Sequence, residues 1–217
     1  ATVSIGVPGA AGQSVLTAPF VVTTADRTPD AISFASVTGV EPGALVESGP
    51  ATIAGMGVSS YFSVSDGEAS VNGGAYAASG TVANGQTVRL RLTAGSHGQT
   101  RTATLTVGGL SADFTATART LDTAPDPFAI PPLTAQPANT LVQSAWITPT
   151  GYLDPAPISV SDGEILIDGD TTWRTSATIE PGQRFRVRRT SGAAGATVSA
   201  TVTIGGVSAI FSVTSGS

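Results

Sequence analysis

An internal repeat is the feature that most constrains this chain. The hexapeptide Ser-Val-Ser-Asp-Gly-Glu stands at 63–68 and again, unchanged, at 159–164, which is 96 residues later. Leu45-Val46 matches Leu141-Val142 at the same spacing, and one inserted residue near Asp170 shifts later matches to 97. A period of about 100 residues is the size of one small domain. The sequence therefore predicts two copies of one domain.

The repeat also sets the expected boundaries. The first copy is expected at 25–119 and the second at 120–217, while residues 1–24 belong to neither. Domains of about 100 residues bury well over half of their surface without disulfides or metals. Each copy is therefore long enough to have a core of its own.

Both copies have the pattern of β-strands. Residues 87–92 read Thr-Val-Arg-Leu-Arg-Leu, the two-residue period of a half-buried strand. Gly108-Gly109 separates two such runs, as in a two-residue hairpin whose turn needs positive φ. No stretch combines a helical period with caps at both ends. About seven short strands per copy, with turns every 8–12 residues, predict an all-β fold of two tandem immunoglobulin-like β-sandwiches. The expected core of the first copy comprises Ile32, Phe34, Phe62, Leu105 and Phe114.

The order of motifs resembles a known family. Ser-Val-Ser-Asp-Gly-Glu, Asn-Gly-Gln-Thr-Val, Ala-Thr-Leu-Thr-Val-Gly-Gly and a closing Phe-x-x-Thr are similar to a bacterial and phage immunoglobulin-like repeat that occurs in tandem in surface and virion proteins. The resemblance covers about Ala25 to Ser215. It implies adhesion or structural display and no catalytic residues. Pro131, Pro132 and Pro137 depart from the first copy and predict a broken or edge strand at the start of the second.

Composition excludes several classes of protein. The chain has no cysteine, which excludes disulfides and Cys-zinc sites, and it has only 12% charged residues. All ten basic residues are arginine, and the net charge of −5 argues against nucleic-acid binding. No apolar run reaches the length of about 18 residues that a membrane helix needs. The segment 1–12 lacks the pattern of a secretory signal. Either a signal has been cleaved or, if Ala1 is the native start, we expect release by lysis, as for a virus.

Paired carboxylates are the obvious candidates for chemistry. Asp66 and Glu68 recur as Asp162 and Glu164, but both pairs flank a turn glycine, and an Asp-Gly turn is needed for backbone reasons alone. Asp162 with Asp168 and Asp170 suggests calcium, although the spacing fits no calcium loop. His97 is the one histidine. We predict no enzyme activity, no metal and no cofactor, because acid, base and nucleophile do not converge in any motif.

A row of arginines is a stronger candidate for a contact surface. Arg184, Arg186 and Arg188 alternate with Phe185 and Val187, so they are expected on one outer face. One interpretation is a solvated face paired with acids on the next strand. The other is a docking face for an acidic subunit or an anionic polysaccharide, because guanidinium groups bind carboxylates in a bidentate manner.

Two aromatic residues suggest a second contact surface. Trp146 stands where the first copy has Pro50, so the shared core does not require it. With Tyr152 it is expected to form either a sugar-stacking or protein-contact patch, or a packing site private to the second copy. Trp173 occupies the position of Tyr76, which suggests a structural role.

The N-terminal segment is expected to be an anchor. Thr2 to Val7 and Pro19 to Thr24 have the pattern of two strands around a Gly/Ala-rich turn. An isolated hairpin is marginal in water, so we predict docking on a partner by strand addition, with a floppy arm as the alternative. The candidate anchoring residues are Val3, Ile5, Val7, Phe20, Val21 and Val22.

The expected function is structural. The leading hypothesis is a bacteriophage virion accessory protein (capsid decoration or cement, or a tail-fibre component) at the virion surface. Its expected partners are other virion proteins and further copies of itself in a homo-oligomer, and host surface polysaccharide is a further candidate. The alternative is an adhesive or carbohydrate-binding module of a secreted bacterial surface protein, which would be extracellular or on the cell surface. Neither nucleic acid nor a membrane is expected as a partner.

Overall fold

The computed structural model of this protein describes residues 24–217 in full and, before them, the backbone of two strands at Thr2–Ile5 and Leu16–Pro19. All regular elements of this described part are β-strands, as the sequence predicts. Accordingly, no helix suited to crossing a membrane is found there. The chain divides into two units, Ala1–Thr120 and Leu121–Ser217.

The N-terminal strands form an antiparallel hairpin. Strand β1 (Thr2–Ile5) pairs with β2 (Leu16–Pro19), with Ile5 opposite Leu16. The strand paired with β1 begins earlier than the predicted Pro19–Thr24, at Leu16, and Thr24 is not in a strand. Among the candidate anchors, Val3 and Ile5 lie in β1, whereas Val7, Phe20, Val21 and Val22 lie outside the described residues.

The first unit is a sandwich of two sheets. In the larger sheet the order is β3-β11-β10-β6-β8, and in the smaller one β9 pairs with β4, β5 and β7. The strands are β3 (Val37–Val40), β4 (Leu45–Glu47), β5 (Ala51–Thr52), β6 (Ser60–Ser65), β7 (Glu68–Val71), β8 (Ser79–Val82), β9 (Thr87–Thr93), β10 (Thr100–Val107) and β11 (Leu110–Ala118).

The second unit repeats this arrangement. Its larger sheet has the order β12-β19-β18-β14-β16, and its smaller sheet has the order β13-β17-β15. The strands are β12 (Leu133–Gln136), β13 (Leu141–Gln143), β14 (Ala156–Ser161), β15 (Glu164–Ile167), β16 (Ser176–Ile179), β17 (Phe185–Thr190), β18 (Thr197–Ile204) and β19 (Val207–Ser215). The chain therefore contains two tandem immunoglobulin-like β-sandwiches.

Each sandwich has an aliphatic and aromatic core. Alternate residues of β6, β9 and β10 point inward, which buries Phe62 and Leu105 and leaves Phe114 of β11 with no exposed surface. Ile32 and Phe34 are half-buried and pack against this core from its margin. Phe211 is the counterpart of Phe114 in the second unit, and Phe185 is a further fully buried ring there. Of the five predicted core residues of the first copy, Phe62, Leu105 and Phe114 are thus buried, and the other two lie at the margin.

The repeated hexapeptide forms a corner between the two sheets. Val64 enters the core, and Asp66 turns the chain with a left-handed φ of 54°. Gly67 then runs so close to the chain that a Cβ would lie 2.6 Å from the Arg91 carbonyl oxygen. Glu68 accepts a hydrogen bond from Arg91 Nε at 2.8 Å. Four of the six positions thus have separate structural roles, and Asp162 and Glu164 repeat two of them in the second copy.

The turn and edge predictions are confirmed. Gly108 and Gly109 connect β10 to β11 with φ values of 56° and 92°. In the second unit β12 is an edge strand that runs parallel to β19, and its register shifts between Leu133 and Gln136. Ala135 has a left-handed φ of 53° at this irregularity. The prolines that flank β12 are compatible with an edge position because they cannot donate a ladder hydrogen bond.

Candidate functional site

The arginine row lies on the outer face of the smaller sheet of the second unit. Phe185 and Val187 of β17 have no exposed surface, so Arg186 and Arg188 of the same strand point outward. Arg184 directly precedes the strand and follows the same alternation. The three guanidinium groups therefore follow one another along the sheet at about 7 Å per two residues, as the period predicts.

Acids on the neighbouring strand pair with both ends of the row. Arg184 Nε donates to Asp168 Oδ2 at 2.7 Å, and Arg188 Nε donates to Glu164 Oε2 at 2.7 Å. All four side chains are partly exposed, so each pair contributes little to stability, about 0–1 kcal/mol. This pairing agrees with the interpretation of a solvated face, but it involves only the two outer arginines.

Two indole rings lie against the same guanidinium groups. The Trp146 centroid is 5.1 Å from the guanidinium carbon of Arg184 and 4.6 Å from that of Arg186. The Trp173 centroid is 5.4 Å from that of Arg186 and 4.4 Å from that of Arg188. Each indole thus contacts two successive arginines. We call these five residues the Arg–Trp face.

Backbone pairing places both indoles at the sheet. Ile147, next to Trp146, exchanges two backbone hydrogen bonds with Phe185, at 2.7 and 2.9 Å. Arg174, next to Trp173, exchanges two with Ile165 of β15. Trp146 and Trp173 lie in the connections between strands and not in regular strands. No two-residue period therefore predicted that the two indoles share one face.

The predicted patch of Trp146 with Tyr152 is wrong. Tyr152 is only 4% exposed and packs in the core, and its hydroxyl donates to the Glu180 carbonyl oxygen at 2.9 Å. Burial raises the pKa of this phenol, with a further contribution from the charge of Glu180. One sequence signal would have found this: Tyr152 corresponds in the repeat to Met56, which is also buried.

Arg186 differs from its two neighbours. Among the described residues it has no carboxylate in contact, and its Nε is buried without a hydrogen-bond partner. Its guanidinium group lies between two indoles instead. An indole face attracts a cation but does not neutralise it. The centre of the Arg–Trp face therefore carries an uncompensated positive charge.

A shallow hollow adjoins the face. It has a volume of about 230 Å³, and its lining residues are Leu141, Val142, Gln143, Trp173 and Arg188. Leu141 is 55% exposed although it is a large aliphatic residue. The residues from β13 were not among the sequence-predicted contact residues. Of these residues, Leu141 contributes an exposed aliphatic side chain that a flat ligand ring can contact.

The first unit has a reduced version of this face. The Tyr76 ring centroid lies 4.1 Å from the guanidinium carbon of Arg91. This pair corresponds to Trp173 and Arg188 in the second unit. Burial raises the pKa of Tyr76, and a hydrogen bond to Glu47 raises it further. Pro50 and Thr87 stand where the second unit has Trp146 and Arg184. The first face has two arginines and two glutamates, whereas the second has three arginines and two acids.

The remaining acids have structural partners. Glu68 and Glu164 bind arginines, while Asp66 and Asp162 occupy the left-handed corner position, with φ values of 54° and 57°. Asp170 pairs with Arg174 at 3.3 Å, and no group of three or more metal-binding side chains occurs in residues 24–217. Of the three acids suggested for calcium, Asp168 and Asp170 are thus directed at arginines, and Asp162 occupies the corner.

Cation–π contacts of the Arg–Trp face should be measurable as a coupling energy. We expect Trp173→Leu and Arg188→Met to couple by about 0.5–1 kcal/mol in the free energy of unfolding, the value for a partly exposed pair. Urea denaturation of the two single variants, the double variant and the parent measures this. Arg184→Met is the matched control because Arg184 contacts Trp146 and not Trp173. Equal coupling of Trp173 to both arginines would contradict the described pairing.

Comparisons with known proteins identify no family. No family model matches the chain, and no curated protein matches it. Solved structures similar to it include the I9–I11 tandem of titin (13% identity, TM-score 0.32) and the Yersinia pseudotuberculosis adhesin InvE (12% identity, TM-score 0.30). These alignments cover 87% and 85% of this chain but only 65% and 58% of the other chains. Domains 5–6 of the S-layer protein SbsC show 12% identity and a TM-score of 0.29, with 88% and 100% coverage. At such low overlap, the fold rests on the strands and sheets described above.

Proposed function

We propose that this protein is a non-enzymatic structural protein that displays tandem immunoglobulin-like domains on the surface of a bacteriophage virion, as capsid decoration or cement or as part of a tail fibre. The observation that carries the proposal is the use of polar side chains in residues 24–217. They pair across strands at the surface and do not converge on a cleft. Such a molecule is suited to covering and contact, because a reaction needs convergent groups.

Exposed hydroxyl pairs on the larger sheets are examples of this pairing of polar side chains across strands. Thr100 and Thr117 are 2.8 Å apart across β10 and β11, and Thr197 and Thr214 are 2.8 Å apart across β18 and β19. Cross-strand Thr pairs stabilise a sheet face without charge. Salt weakens exposed ion pairs but does not screen uncharged hydroxyl pairs. A sheet held by such pairs therefore suits a particle that meets variable ionic strength.

The N-terminal hairpin supports attachment. Its two four-residue strands pair only with each other in the described part of the chain. Two short strands alone are marginal, and a sheet edge on a neighbouring subunit would satisfy their outer hydrogen-bonding groups. A protein that binds only the assembled particle stabilises that state by mass action.

Deleting residues 1–24 tests the proposal. We expect the shortened chain to fold, as judged by its tryptophan fluorescence and circular dichroism, but to be lost from purified particles, as measured by mass spectrometry. Full-length protein should occupy symmetry-related positions in electron cryo-microscopy maps of the particles. Unchanged incorporation of the shortened chain would refute the anchor, and absence of the full-length protein from particles would refute the virion role.

A second candidate function is an adhesive module of a secreted bacterial surface protein. The Arg–Trp face favours it, because aromatic and arginine side chains are typical of contact surfaces. Localisation of the protein on cells, and not on particles, would select this function.

A further inference from the structure

We propose that the Arg–Trp face binds a polysaccharide that carries carboxylates, with Arg186 as the central cation. This inference deepens the proposed function and rests on it, since the glycan has to be reachable on the outside of a particle or cell. The notable feature is one positive charge that two indoles flank and no described carboxylate neutralises.

The charge of the face selects an anion. Three arginines face two acids, Asp168 and Glu164, in a chain whose total charge is −5. The excess charge is therefore local and opposes the sign of the molecule as a whole. A guanidinium group binds a carboxylate through two parallel hydrogen bonds, and its partial removal from water strengthens that contact.

The size of the face favours a narrow polymer over a globular protein. Its three strands, β13, β15 and β17, are 3, 4 and 6 residues long. At a strand spacing of about 4.8 Å and a rise of about 3.4 Å per residue, they cover roughly 210 Å². A stable protein interface buries about 800 Å² per partner. The smaller sheet of the second unit thus offers roughly a quarter of that area, which suits an extended chain lying across it.

The hollow beside Trp173 supplies a place for one sugar residue. The hollow has a volume of about 230 Å³. Leu141 contributes exposed aliphatic atoms to its lining, and Arg188 and Gln143 provide polar groups. A pyranose ring has the same mixture of apolar faces and polar edges. A carboxylate on the neighbouring sugar would then lie near Arg186.

Isothermal titration calorimetry of the full chain with polygalacturonate tests the inference. We expect binding to polygalacturonate and none to neutral dextran. Arg186→Gln should weaken the affinity about ten- to hundredfold, the effect of removing a charge-assisted hydrogen-bonded pair. Arg89→Gln is the matched control at the equivalent position of the first unit, and it should leave the affinity unchanged. Arg89 donates to the Ser48 carbonyl oxygen and contacts no indole.

Several outcomes would overturn the inference. No binding to polygalacturonate, an affinity that survives Arg186→Gln, or equal losses in the two variants would each do so. Binding to dextran sulfate alone would replace the carboxylate class with sulfate and would also refute it. If Arg186→Gln unfolds the domain, Arg186→Lys keeps the charge but lacks the two-pronged geometry, and it should still bind several times more weakly.

The glycan test is separable from the particle test. Titration uses the purified chain and needs no particle, whereas incorporation depends on residues 1–24. We expect Arg186→Gln to enter particles like the parent protein. Absence of glycan binding by the parent chain, together with its normal incorporation, would therefore refute only the glycan inference, and glycan binding by a parent chain that does not enter particles would refute only the virion role.

Discussion

Gly205→Ala should destabilise the second sandwich by about 2–5 kcal/mol. Gly205 begins the β18–β19 turn with a φ of 52°, a region that costs an L-residue about 1–2 kcal/mol. A Cβ there would overlap the carbonyl oxygen of Thr123 and lie 2.6 Å from its carbonyl carbon. Backbone atoms cannot rotate away as a side chain can, and overpacking adds about 1–3 kcal/mol. The first copy has the same arrangement of Gly108 over Arg27.

Urea denaturation followed by tryptophan fluorescence measures this effect. Both tryptophans, Trp146 and Trp173, lie in the second unit, so their emission reports on that unit. Gly195→Ala is the matched control, because Gly195 has a φ of 75° but open space around its Cβ position. It should lose only the conformational part, about 1–2 kcal/mol. Equal losses for the two variants would show that the close approach to Thr123 does not contribute.

Phe211→Ala should cost about 3–5 kcal/mol, because it removes a large side chain from a closed core. Phe211 has no exposed surface and packs with the core cluster of the second unit. A typical domain is stable by only about 5–15 kcal/mol, so this variant approaches the limit of folding. The free energy of unfolding from the same denaturation experiment measures the loss.

Ile210→Ala is the control for the face assignment of β19. Ile210 precedes Phe211 but is 60% exposed, since neighbouring strand residues point to opposite sides. We expect a change below about 1 kcal/mol. Similar losses for both variants would mean that the inward and outward faces of β19 are assigned incorrectly.

The sequence predicted local structure well where a backbone conformation or a buried face requires a particular residue type. Gly108-Gly109 required a positive-φ turn, and the alternation in 87–92 required a strand with one buried side. The identical hexapeptides marked a corner that has the same constraints in each copy. Their carboxylates were correctly judged as turn residues, although the pairing of Glu68 with Arg91 follows only from the sheet.

Contacts between distant segments of the chain were harder to predict from the sequence. For Tyr152 the sequence left open a contact patch with Trp146 or a packing site private to the second copy, and the fold places it in the core with its hydroxyl bound to the Glu180 carbonyl oxygen. Trp146 and Trp173 are 27 positions apart and lie outside regular strands, so no period relates them. The residues of β13 beside Trp173 were missed for the same reason.

Sequence alone therefore determined the number of domains, their strand character, the arginine alternation and several central residues of the core, because repeats and two-residue periods are local properties. Tertiary structure decided which side chains meet: the two indoles on the arginines, the acids beside Arg184 and Arg188, and the unneutralised Arg186 between them. Sheet order and the paths of irregular connections set these contacts. Both depend on packing across the whole domain, which no short stretch of sequence encodes.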